Sequence, residues 1–266
     1  MNVALLQTAS LALGLNRLDY YLKLSQSKGV RLFVLPEYAL NHFFLELVNM
    51  PRGMVKQQSS AQLEALRELS SKYDTIIVAP IVRIIKDKIY KSIAIVKKER
   101  VQYYNQQILI NYPHWNEERF FDNEIAPLQP APVLRIDRYK IGVLAGFEIH
   151  FDFFWQEFLK KDVDAVLVPT AATFASHERW RAVLSSRAFC NNAYVLRINR
   201  IGEHTDKDGN IWKFYGDSFV VDPNGNVTIE LGSTEELIIT AIDKDIVKEA
   251  KKSWKFRQAL KRRGML

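Results

Sequence analysis

Short runs of Val, Ile and Leu alternate along most of this chain with stretches whose apolar residues recur at helical spacing. That rhythm limits the fold more than any other feature. Val3 to Leu6, Arg31 to Leu35, Ile141 to Ala145, Ala165 to Val168 and Tyr194 to Asn199 read as strands. Asn16 to Ser27, Ser60 to Lys72 and Glu178 to Asn191 read as helices, the second with Leu63, Leu66 and Leu69 on one face. Ile76 to Ile85, Ile89 to Lys97 and Val101 to Ile110 form three successive strands. They are joined by charged breaks at Lys86-Asp87-Lys88 and Lys98-Glu99-Arg100, as in hairpins. Asp222-Pro223-Asn224-Gly225 is a hairpin turn between Phe219 to Val221 and Val227 to Leu231. A last strand, Leu237 to Ile242, precedes a last helix from Asp245 to Lys261. Strands interleaved with helices in this way imply an α/β fold in which helices cover sheet faces. No repeat or break in composition divides residues 1–266, which read as one domain.

With 48% apolar residues, the chain has ample material for a large core. No apolar run is long enough to span a membrane, and the start lacks a basic leader. The one cysteine, Cys190, excludes an internal disulfide and reads as a core residue. These features fit the cytoplasm. His42, His114, His150, His177 and His204 show no metal-ligand spacing, and neither metal nor cofactor is expected. The net charge of +7 is local. From Lys244 onward there are nine basic and two acidic residues, which leaves 28 of each in the rest. A neutral body with a basic C-terminal helix and tail from about 244 argues against a nucleic-acid partner. It favours a solvated face or a subunit contact.

Chemistry in layered α/β folds gathers beyond the carboxyl ends of strands. Phe33-Val34-Leu35-Pro36-Glu37 delivers a carboxylate there, as a general base or simply a loop residue. Ile141-Gly142-Val143-Leu144-Ala145-Gly146 breaks into a turn with no side chain to present, where glycine would serve backbone geometry. Tyr104-Asn105-Gln106-Gln107 places amides inside an apolar strand, facing a polar pocket or an edge. Thr170, Thr173, Ser176 and His177 follow a strand end and are candidates to line the pocket. The long loop from Asn111 to Pro132 exceeds an ordinary connection.

In order and spacing these segments resemble the nitrilase superfamily, the carbon–nitrogen hydrolases. Besides Leu35-Pro36-Glu37, the resemblance rests on Asn116-Glu117-Glu118-Arg119-Phe120-Phe121, Ser186 to Val195, Asn199-Arg200-Ile201-Gly202 and Tyr215-Gly216-Asp217-Ser218. It implies a four-layer αββα sandwich, a homodimer in which Trp254 and Phe256 would suit the contact, and a small-molecule amide or carboxylate ligand. That family attacks amides and nitriles with a Cys thiolate, a Glu base, a Lys and a second Glu. Glu37 matches the base and Glu117 the second Glu. The usual Tyr-x-Lys-x-His-Leu frame falls on Tyr104 to Leu109 and puts Gln106 at the Lys. The usual Cys-Tyr-Asp-x-Arg-Phe-Pro frame falls on Gly146 to Asp152. It puts Gly146 at the Cys and His150 at the Arg.

The resemblance thus implies a degenerate member without the thiolate route, retaining its scaffold for ligand binding or assembly. The alternative is altered, non-thiol chemistry on amides or N-carbamoyl compounds through Glu37 and Glu117. With no lysine from residue 99 to residue 139, Glu37 is expected to lack a cationic neighbour and to sit with a raised pKa.

Overall fold

The computed structural model describes residues 1–11, 15–206 and 208–266. In chain order the elements are β1 (Asn2–Gln7), α1 (Asn16–Gln26), β2 (Val30–Val34), α2 (Phe44–Leu47), α3 (Arg52–Tyr73), β3 (Ile76–Ile85), β4 (Lys88–Lys97) and β5 (Arg100–Asn105). Then come β6 (Asn111–Tyr112), β7 (Trp115–Asn116), α4 (Glu117–Phe120), β8 (Val133–Ile136), β9 (Tyr139–Val143), a 3-10 turn (Gly146–His150), α5 (Asp152–Lys161) and β10 (Ala165–Thr170). The chain ends with α6 (His177–Asn191), β11 (Tyr194–Asn199), β12 (Ile201–Thr205), β13 (Ile211–Tyr215), β14 (Phe219–Val221), β15 (Val227–Glu230), β16 (Glu236–Ala241), α7 (Lys244–Trp254) and α8 (Phe256–Lys261).

Two six-stranded sheets dominate, ordered β16-β1-β2-β3-β4-β5 and β15-β14-β11-β10-β9-β8. Each has three parallel strands at its centre, β1-β2-β3 in one and β9-β10-β11 in the other, flanked by antiparallel neighbours. The period of two along a strand sorts the first sheet's side chains into two cores. Ala4, Leu6, Phe33, Leu35, Ile77, Ala79, Ala94 and Val96 pack with Leu18 and Leu22 of α1 and Leu66 and Leu69 of α3. Val3, Leu5, Leu32, Val34, Val78, Ile93 and Ile95 instead join the core of the second sheet. That core continues to Phe154 and Phe158 of α5 and Leu184 and Ala188 of α6. The α5 layer sits close because Gly142 of β9 has no side chain. A Cβ there would meet the Phe158 ring at 2.7 Å. Helix, sheet, sheet, helix is the αββα sandwich.

Three expectations need correction. β5 stops at Asn105, so Gln106 and Gln107 lie beyond the strand rather than within it. Their backbone leaves the ladder because Asn123 Nδ2 donates to the Gln106 carbonyl and the Gln107 N–H donates to Glu148. The last helix is two helices, broken where Lys255 adopts a left-handed conformation (φ 56°). Cys190 is exposed, not a core residue. Ala188 faces inward on α6, and two residues further on the helix has turned by about 200°.

Candidate active site

The carboxyl ends of β2, β9 and β10 converge. β2 runs into Leu35-Pro36-Glu37, and the Glu37 N–H donates to the Thr170 carbonyl at the end of β10, 3.3 Å away. The Gly146 N–H, just past β9, donates to Glu37 Oε1 at 3.3 Å. Tyr38 takes a left-handed φ of 56° and sends its hydroxyl to Glu117 Oε1 at 2.6 Å. Glu117 opens α4 and is wholly buried. Thus Glu37, Glu117 and Gly146, far apart in sequence, lie in one place.

Gln106 does not join them. Its amide nitrogen turns back to the Ile108 carbonyl at 2.8 Å. The cation of the site is Lys91, on β4. Its Nζ donates to Glu37 Oε2 at 3.2 Å and to Glu117 Oε1 and Oε2 at 2.8 and 3.0 Å. The expectation of a Glu37 without a cationic neighbour is therefore wrong. The reason lies in the register. Ser92 pairs with Asn105, and the Gln106 N–H bonds the Lys91 carbonyl, so Lys91 stands directly across from Gln106. The ammonium comes from the facing position of the adjacent strand. Burial pushes the Glu37 carboxyl upward, as expected, and Lys91 works against that rise. Lys91 itself is held above its ordinary value by the two carboxylates, although burial alone would lower it.

Gly146 is not there for backbone freedom, since it is absent from the positive-φ positions. It is there for space. A Cβ would lie 2.9 Å from Thr170 Cγ2, 3.0 Å from the Pro169 carbonyl and 3.4 Å from Glu37 Oε1. Two residues on, Glu148 is buried and fixes this turn to the segment after β5. It accepts from Tyr104 Oη (2.8 Å), Gln107 N (2.6 Å), Ile108 N (3.4 Å) and Ala145 N (3.2 Å). Burial outweighs those donors and lifts its pKa to about 7.

A cavity of about 350 Å³ opens on this cluster, with Glu37, Lys91 and Gly146 in its lining. Thr170, Thr173 and Ser176 line it as expected, whereas His177 packs on the Tyr215 ring. Phe147, Trp115 and Trp180 form walls, and the exposed Tyr112 and Phe174 flank the mouth. His150, exposed, hydrogen-bonds the Phe147 carbonyl. A larger groove between α1 and α3 lies away from this chemistry. Among the described residues no cluster of His, Cys, Asp and Glu could hold a metal ion. None of the helices described is long and apolar enough to cross a membrane.

Residues 2–252 match the carbon-nitrogen hydrolase family. The chain belongs to that family. As a carbon-nitrogen hydrolase it is similar to Omega-amidase NIT3 of Saccharomyces cerevisiae, with 24% identity over 89% of this chain and 81% of the relative. It is similar to the 2-oxoglutaramate amidase of Bacillus subtilis, with 24% identity over 82% and 80%. In fold it matches the crystal structure of a carbon-nitrogen hydrolase from Helicobacter pylori, with a TM-score of 0.83 and 19% identity over 97% and 94%.

Proposed function

We propose that this carbon-nitrogen hydrolase is a catalytically degenerate member that keeps the amide-site scaffold to bind a small molecule. The observation that carries the reading is the crowding at Gly146. The position lacks a thiol, and a Cβ there would press on Thr170 Cγ2 and the Pro169 carbonyl. Removing the nucleophile from a covalent mechanism costs on the order of 10⁶ in rate.

A second reading rests on a different observation: a base and an ammonium still meet beside an open cavity. In that reading Glu37 activates water for attack on an amide or N-carbamoyl compound. The two readings part on one experiment, a panel of small amides, nitriles and N-carbamoyl compounds assayed in parallel for product and for binding heat. Binding without turnover supports the degenerate member. Turnover that disappears in Glu37→Ala overturns it. A homodimer belongs to the same proposal and is checked by light scattering. In the chain described here Trp254 and Phe256 meet Phe189 of α6, with ring centroids 4.8 and 5.3 Å from it.

A further inference from the structure

Charge and hydrogen bonding at the floor of the cavity narrow the class of ligand, resting on the binding reading above. The polar side chains of the floor are turned to partners within the protein. The ammonium of Lys91 is held between Glu37 and Glu117, and the Gly146 N–H by Glu37 Oε1. The Thr170 hydroxyl points back into the sheet, to Asn199 Oδ1 at 2.8 Å and the Ile198 carbonyl at 3.3 Å. Ser176 Oγ is taken up by the Thr173 carbonyl and Tyr215 Oη. On the walls, Trp115 Nε1 and Thr173 Oγ1 have no partner among the described residues, but both atoms are buried out of reach.

Glu37 keeps acceptor capacity. Each Glu37 oxygen takes one hydrogen bond, and a carboxylate oxygen has two lone pairs. The charges agree. With its carboxylates ionised, the Glu37–Lys91–Glu117 unit carries one net negative charge, and only Glu37 and Lys91 of the three line the cavity. Around them stand the aromatic side chains of Trp115, Phe147 and Trp180, with Tyr112 and Phe174 at the mouth. Aromatic faces around a negative floor favour a cation. Positive charge occurs at the rim, where Arg179 is exposed and donates to the Ala175 carbonyl.

We propose that the cavity takes ligands by a nitrogen head that is cationic and donates hydrogen bonds, a primary ammonium or an amidinium, and rejects a carboxylate at the same depth.

Four molecules with the same short chain test this by calorimetry on the full-length protein: butylammonium, butanamidinium, butyramide and butyrate. The expected result is that the two cations bind at least about tenfold more tightly than butyramide, and that butyrate gives no heat. Glu37→Gln, which keeps the shape and removes the charge, is expected to erase most of that preference while butyramide changes by less than about threefold. If the variant does not fold, the ranking on the natural protein still decides. Butyrate binding as tightly as the cations, or none of the four binding, overturns the proposal. Hydrolysis of butyramide would instead overturn the loss of catalysis, and would leave the head-group ranking to be read separately.

Discussion

Glycine at position 146 and lysine at position 91 are linked through one carboxylate, Glu37. Adding a methyl at Gly146 forces it against Thr170 Cγ2 and the Pro169 carbonyl, so Gly146→Ala is expected to cost about 1–3 kcal/mol, the usual range for overpacking. Thr170→Ser removes the crowding methyl and should return part of that loss in the double variant, measured by urea denaturation. For the same reason Gly146→Cys alone is not expected to yield turnover of butyramide, and turnover in that single variant would show that the space is adaptable. Lys91→Gln leaves two buried carboxylates unpaired and should cost about 3–5 kcal/mol. Adding Gln106→Lys puts an ammonium at the facing position just past β5, and the double variant should regain much of the stability lost. If it recovers nothing, the two positions are not interchangeable.

These residues also show how far the site could be read in advance. Glu37, Glu117 and Gly146 were legible through the order and spacing of the family-like segments that carry them, since Glu37 and Gly146 alone also had ordinary structural readings. Lys91 was not. Within β4 it has the same parity as Ile93 and Ile95, which face the second sheet, and a charge at an inward position was the available signal. Its meaning depends on which strand lies beside β4 and in what register, and pairing of that kind is a property of the fold, not of the segment.

At the scale of elements, the turn after β9 and the segment after β5 are held together by one buried group, Glu148. Its pKa is raised from 4.5 to about 7, so between those values the folded chain holds a proton that the unfolded chain has released. Stability must therefore fall as pH rises through that window, by on the order of 3 kcal/mol from this group alone. Unfolding midpoints between pH 4 and pH 8 check the sign. In Glu148→Gln this contribution should vanish, with a constant cost of about 1–3 kcal/mol for donors left facing an amide nitrogen. A pH dependence identical in the variant would remove Glu148 from the account. Element types were largely legible, because period two and period 3.6 are local. The stop of β5 at Asn105 and the break at Lys255 were not, since distant partners, Asn123 and Glu148, set the first and a left-handed residue the second.

For the whole molecule, the positive charge of the C-terminal region is partly turned inward. Lys244 and Lys251 pair with Asp164, which is fully buried, and Lys251 also pairs with Asp162 at 2.9 Å. Arg257 donates to the carbonyls of Leu159 and Lys160 at the end of α5. Replacing both Lys244 and Lys251 by Met should lower the urea midpoint by the equivalent of about 3–5 kcal/mol, through an uncompensated buried carboxylate. Neutralising the exposed Lys252, Arg262 and Arg263 should leave it nearly unchanged. Equal effects of the two sets would mean that the tail is held by its aromatic contacts with α6 instead.

The placement of Lys91 opposite Gln106 also bears on history. If the ammonium once stood at 106, the order of two substitutions was not free. A chain with neither lysine would bury two carboxylates with no counter-charge, whereas a chain with both would balance them one for one. The lysine on β4 had to arrive before the other was lost, so an ancestor carrying both is the passable intermediate. Gln106→Lys in the present protein would rebuild it.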